Sequence, residues 1–251
     1  MTDEELAAAI HHAKGIKAAK LNEIAYLEKL NAPKVYPKFT YESLMAYVCF
    51  EHNVKYPGFK NENPKDMRPY FLDSFNLEIF ETLCMYFSGD PAFELQGEDF
   101  SFDKGIMLYG PVGCGKTSLM KMFTSNSFRP FSVTSCRVIA DEYAKEGSDS
   151  LYKYSELQPA YPQRNYGIDA IGRLFDDLGT EDNKSHFGNK VNVMQDILYK
   201  IYENDLLGNF HVTTNIIGDE IEEFYGQRIR SRTREMFNVI TFDGNSPDRR
   251  K

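Results

Sequence analysis

Gly110-Pro111-Val112-Gly113-Cys114-Gly115-Lys116-Thr117 fits the pattern G-x-x-x-x-G-K-[ST], a loop that binds phosphate. Each fixed position answers a physical need. Backbone N–H groups must turn inward to cradle phosphate oxygens, and a side chain at the glycine positions blocks that approach. Lys116 supplies a mobile positive charge for the β- and γ-phosphates, and the Thr117 hydroxyl suits Mg²⁺. The expected nucleotide contacts are therefore Gly110, Pro111, Val112, Gly113, Cys114, Gly115, Lys116, Thr117 and the adjoining Ser118.

The pattern is short enough to arise by chance, so its flanks matter. Lys104-Gly105-Ile106-Met107-Leu108-Tyr109 reads as a buried strand entering the loop. Thr117-Ser118-Leu119-Met120-Lys121-Met122-Phe123 reads as a helix leaving it. Strand, loop and helix in that order put the phosphates at a helix N-terminus. An ordinary glycine-rich turn needs no such setting.

At 251 residues the chain fits one large domain, or a domain of about 150–200 residues with a smaller unit. A hydrophobic share of 42% is enough for a substantial core. The net charge of −8 argues against a protein that coats nucleic acid, and leaves room for a local basic surface. Cys49, Cys84, Cys114 and Cys136 lie far apart without metal-ligand spacing. Without a signal peptide they read as reduced thiols in a cytoplasmic protein. Cys114 occupies a variable position of the loop and reads as structural. No apolar run approaches the ~20 residues needed to span a membrane.

Before the loop, Thr2 and Glu5 form a capping-box pattern that opens a helix running to about Leu30. Leu6, Ile10, Ala13, Leu21, Ile24 and Leu27 give it an amphipathic face, which fits packing on its own domain or docking to a partner. A second helix is expected from Tyr41 to about Glu51, introduced by Thr40. Residues 52–68 are polar, with Pro57, Gly58 and Pro64, and read as a linker or boundary whose Tyr56 and Phe59 pin the loop. Asn76 to Phe87 reads as a helix covering the sheet or the base of the nucleotide.

After the loop, Phe131 to Ser135 reads as a strand and Val138 to Glu146 as a helix. Residues 147–166 read as a loop or small insertion, whose tyrosines and Arg164 fit either base stacking or an ordinary surface. Ala170 to Gly179 is an apolar strand ending in adjacent carboxylates, interrupted by Gly172 and Arg173. Downstream of a phosphate loop, that reads as a Walker B element: Asp176 holds Mg²⁺ and Asp177 polarises the attacking water. Asn189 to Asn204 reads as a helix, followed by the strand Phe210-His211-Val212-Thr213-Thr214-Asn215. If that strand lies between the other two, Asn215 faces the γ-phosphate, whereas the lone His211 reads as packing. Arg228, Arg230, Arg232 and Arg234 then precede a last strand, Phe237 to Phe242. They fit a solvated face, or an arginine finger reaching a neighbouring subunit.

This order of elements resembles the AAA+ ATPases of the initiator and helicase-loader group. Phe175-Asp176-Asp177-Leu178-Gly179, Thr213-Thr214-Asn215 and Arg228-Ile229-Arg230-Ser231-Arg232 are most similar to DnaC-type loaders and their IstB-type transposition relatives. The likeness spans roughly residues 75–250. It implies an α/β P-loop fold of three layers with a parallel five-stranded sheet in the order 5-1-4-3-2. It also implies ATP and Mg²⁺ as cofactors, and a site shared between self-associating subunits. By position, Asn215 matches the sensor-1 residue, Arg232 the arginine finger and Arg228 a second arginine at the subunit boundary. The expected organisation is a helical partner-binding region, 1–68, and an AAA+ domain, 69–251, with a reduced or absent lid. Asp177 replaces the family's usual glutamate, and the sensor-2 role falls to Arg249 or Arg250 or to neither.

Three functions follow as expectations. The first is a DNA-replication helicase loader that couples ATP hydrolysis to assembly on a hexameric replicative helicase and single-stranded DNA. The second is a transposition helper of the IstB type acting on a transposase and duplex DNA. The third is a monomeric P-loop kinase of a small metabolite, which has no need of the strand-end asparagine and the arginine cluster.

Overall fold

Ile106 and Leu108 face one apolar cluster, and Met107 between them faces another. Leu174 and Phe175 divide in the same way. A strand with period-2 side chains that is buried on both faces must lie between two layers of helix. The computed structural model describes residue 20, residues 36–60, 68–181, 184–186 and 189–250, with the backbone alone at 184–186 and 189–190. The helix expected from Thr2 to about Leu30 lies outside the described residues apart from Lys20. A compact unit runs from Pro37 to Lys251.

Its centre is five parallel strands: β1 (Gly105–Tyr109), β2 (Phe131–Ser135), β3 (Ala170–Leu178), β4 (Phe210–Thr214) and β5 (Phe237–Thr241). They lie in the order β5-β1-β4-β3-β2, the expected 5-1-4-3-2, in register at Phe237↔Gly105, Met107↔Val212, Arg173↔Phe210 and Phe131↔Gly172. The strand carrying the phosphate loop thus sits beside β4, and β4 sits beside the Walker B strand.

Helices α1 (Tyr41–Glu51), α2 (Leu77–Ser88) and α3 (Lys116–Lys121) pack on the first face, where Leu44, Val48, Phe80, Leu83, Phe87, Leu119 and Met120 are buried. Thr40 and Ser43 make the capping box that starts α1. Across residues 52–71, Val54–Lys55 pairs in parallel with Tyr70–Phe71, and Tyr56 donates its hydroxyl to Glu81 Oε1 at 2.7 Å. The second face is covered by α4 (Cys136–Glu146), α5 (Ser148–Ser155), α6 (Val193–Glu203) and α7 (Asp219–Met236).

The sequence reading is corrected at 147–166 and at 189–191, which is a strand ahead of α6, and is added to at the arginine-rich segment. Residues 147–166 are not a plain loop: they contain α5, anchored by the buried Leu151 and Tyr154, and a strand Gln158–Pro159 antiparallel to β3. An apolar pair at i, i+3 is a weak signal among polar neighbours, and it is tertiary burial that holds the helix. The arginine-rich segment is helical, forming the second half of α7 beyond a kink at Gly226.

The interruptions in β3 have causes. A Cβ on Gly172 would stand 1.8 Å from the Asn209 carbonyl oxygen, so the close approach of backbones demands glycine. Arg173 is buried, donates from Nη2 to the Lys153 carbonyl at 2.8 Å, and lies over the Tyr154 ring. It fastens the end of α5 to the sheet.

Candidate nucleotide site

The loop between β1 and α3 turns where β4 and β3 also end, so three strand ends supply one place. Lys116 bends back over the loop, its Nζ donating to the carbonyls of Gly110 at 2.8 Å and Pro111 at 2.9 Å and to Asn215 Oδ1. Burial holds its ammonium below the ordinary lysine range, opposed by the neighbouring Cys114 sulfur and by the charge of Asp177. Cys114 itself is fully buried, and burial raises its thiol above the ordinary range.

Asp176 is buried at the end of β3, where its Oδ1 accepts from Thr117 Oγ1 at 2.7 Å and from Thr213 Oγ1 at 2.6 Å. Next to it the pairing of β3 with β4 slips: Phe175 faces Val212 but Leu178 faces Thr214. The extra residue is taken up at Asp177, whose φ of 57° is left-handed and whose N–H donates to Thr213 Oγ1 at 2.9 Å. In a regular strand two successive side chains point to opposite faces. The bulge lets Asp176 meet the loop while Asp177 lines the cavity beside it, and aspartate tolerates the left-handed region better than most residues.

That cavity, about 340 Å³, is lined by Val112, Gly113, Gly115, Lys116, Thr117 and Ser118 on one side and by Asp177 and Asn215 on another. A third wall comes from Arg68, Pro69, Tyr70 and Phe71, and a fourth from Arg249 and Arg250. Arg68, Lys116 and Arg250 against the single carboxylate of Asp177 make it a receptacle for a polyanion. The sequence reading did not single out residues 68–71. They follow a polar linker, and only the Tyr70-Phe71 pair hinted at an ordered strand.

For Mg²⁺, the residues present fit: Thr117 and Asp176 already share a hydrogen bond beside the loop, and Mg²⁺ needs only one or two protein oxygens when phosphates supply others. Among the described residues no group of three or more histidine, cysteine or carboxylate side chains forms a metal cluster.

The structure does not bring every candidate together. Arg228 is exposed on α7, and Arg232 lies over the rings of Tyr202, 4.2 Å, and Tyr199, 5.2 Å, on α6. Neither lines the cavity. Arg230 is engaged within its own helix, 2.8 Å from Asp219 and also paired with Glu222. His211 is packing, as expected: it is fully buried among the rings of Tyr86, Phe87 and Phe131, and its Nδ1 accepts from the Ile106 N–H at 3.0 Å. Burial, helped by the charge of Arg129, pushes its pKa down to about 3.

Compared with known proteins, residues 106–240 match the ATPase family associated with various cellular activities (AAA). No curated protein matches in sequence. Among solved structures, the DnaC helicase loader is similar with a TM-score of 0.42 and 16% identity, over 67% of this chain and 89% of that one. AMPPCP-bound DnaA from Aquifex aeolicus is similar with a TM-score of 0.46 and 15% identity, over 69% of this chain and 48% of that one. C. elegans PCH-2 gives a TM-score of 0.36 at 12% identity, over 93% of this chain and 67% of that one. Likenesses this distant carry no weight in assigning a function. Among the described residues no helix is long and apolar enough to cross a membrane.

Proposed function

The chain belongs to the AAA family of ATPases, matched over more than half its length, and from that premise we propose that it hydrolyses MgATP to load a replicative helicase onto single-stranded DNA. The observation that carries the ATPase part is the meeting of Lys116, Thr117, Asp177 and Asn215, from three separate segments, at one cation-rich cavity, with Asp176 bonded to Thr117 behind them. The loader part rests on the motif wording of β3, β4 and α7, and on the division of the chain at residues 36 and 37.

In this reading the loop's N–H groups and Lys116 bind the β- and γ-phosphates. Thr117 and Asp176 hold Mg²⁺, which when bound neutralises charge on the phosphates. Asp177 accepts the proton of the attacking water, and Asn215 exchanges its bond with Lys116 for one to the water or the γ-phosphate. The backbone bulge fixes where Asp177 points before substrate arrives, and this pre-organisation is where the chain contributes to the rate. Arg232 completes the site from a neighbouring molecule, with Arg228 beside the boundary.

Residues 1–68 are assigned to docking on the helicase. Because Leu44, Val48 and Cys49 lie in the core, the deletion that tests this stops at residue 36. Co-purification with a hexameric replicative helicase is expected for the full chain and lost on deleting residues 1–36. Capture of a transposase and duplex DNA instead, or helicase binding that survives the deletion, contradicts the assignment.

A further inference from the structure

Residues 248–250 fold back against the phosphate loop, and Arg249 joins the loop's backbone to the facing wall of the cavity. The Arg249 N–H donates to the Gly113 carbonyl at 2.9 Å, and its Nε donates to the Cys114 carbonyl at 3.0 Å. Its Nη2 reaches both carboxylate oxygens of Asp73, each at 2.9 Å. The Asp248 carboxylate lies so close that a Cβ on Gly113 would stand 2.2 Å from its Oδ1, and Gly113 also has a φ of +83°. Two independent reasons therefore require glycine at this position.

Asp73 is held in turn. Its backbone N–H donates to Asn76 Oδ1 at 2.7 Å, and its Oδ1 accepts from the Phe75 N–H at 2.9 Å. Asn76, fully buried, donates from Nδ2 to the Phe71 carbonyl at 3.2 Å. The wall at residues 68–71 and the loop at residues 113–114 are thus joined through one guanidinium.

The consequence is orientational. A trans peptide is planar, so anchoring the carbonyls of Gly113 and Cys114 also fixes the directions in which the N–H groups of Cys114 and Gly115 point. The Cys114 N–H meets only the Pro111 carbonyl, at 3.5 Å, and is available to a stronger acceptor. The geometry points to Arg249 as a positioning residue of the phosphate loop, acting through Asp73. It presets the backbone donors for phosphate. The inference rests on the ATPase reading of the site and adds to it a strap between the two ends of the domain. Lysine in its place keeps the charge but loses the two-pronged fit to Asp73 and the Nε bond.

The test measures binding of a fluorescent ATP analogue with Mg²⁺, and steady-state hydrolysis, on the full chain. Arg249→Ala is expected to weaken binding about ten-fold, the loss of one or two charge-assisted hydrogen bonds, and Arg249→Lys to restore part of it. KM rises with little change in kcat, because the lost interaction serves ground state and transition state alike. Asp73→Asn weakens binding in the same direction, and the double variant Asp73→Asn/Arg249→Ala is no worse than Arg249→Ala alone. Linkage supplies a readout apart from activity: saturating nucleotide must slow hydrogen exchange of the Arg249 amide in the wild type and lose that effect in Asp73→Asn. If wild type binds, Lys116→Ala does not, and both strap variants bind like wild type, the strap is wrong and the site stands. If wild type and Lys116→Ala bind alike, the reading of the site fails and the strap with it.

Discussion

Lys116, Thr117, Asp177 and Asn215, at the ends of β1, β3 and β4, line one cavity with Asp176 bonded behind Thr117, whereas the candidate arginines of α7 do not line it. Both sets were read from the same sequence, the loop from a full motif in its setting and the arginines as either a solvated face or a finger. The difference lies in what each needs. Lys116 is bonded to Asn215, and Thr117 to Asp176, by hydrogen bonds that a single chain closes. Arg232 is instead laid against Tyr199 and Tyr202, with Tyr202 donating to Glu235 Oε2 at 2.7 Å. A guanidinium stacked on aromatic rings is shaped and presented without being consumed by a carboxylate. On the proposed reading this keeps Arg232 in order for a neighbouring molecule, in contrast with Arg230, which is spent on Asp219 and Glu222.

The largest effect that sharpens this contrast is on hydrolysis. Arg232→Ala is expected to leave nucleotide binding intact and to lower kcat by about 10³–10⁵, the usual worth of an arginine supplied across an interface. Full activity of this variant breaks the comparison outright. Next, Asp177→Asn is expected to bind MgATP and to lose about 10²–10⁴ in kcat, as removal of a general base should. Loss of binding in Asp177→Asn would instead make the bulge a structural feature of the loop.

The smallest effect concerns the frame that both sets share. His211 lies in β4 with its pKa pushed down to about 3, against about 6.5 in an unfolded chain. The unfolded state therefore takes up the proton first. The stability that the neutral ring contributes is complete above about pH 6.5 and is lost as pH falls toward 3, at about 1.4 kcal/mol per pH unit. Denaturant unfolding between pH 7 and 5 should show this slope, reduced in His211→Gln.

Legibility in the sequence followed the range of the interaction. The phosphate loop, its strand and its helix are contiguous, so the local pattern is enough. The sheet order followed from the resemblance, which the pairing of β4 between β1 and β3 matches. What stayed hidden depends on residues far apart. The bulge that turns Asp177 is a property of its pairing with β4, and no local signal marks it. The fourth wall joins Asp73 to Arg249, 176 positions apart, and neither residue type is informative by itself. Helix α5 is hidden because its two buried anchors, Leu151 and Tyr154, lie in a stretch of polar residues.

Mixing two inactive variants tests the central claim most directly, namely that one molecule supplies the loop and carboxylates and another the arginine. Asp177→Asn retains Arg232, and Arg232→Ala retains Asp177, so a mixed interface can hold one complete site. The account predicts that equal amounts of the two, each nearly inactive alone, recover a substantial share of wild-type ATP hydrolysis. No recovery on mixing, with both variants folded and binding ATP, would contradict it.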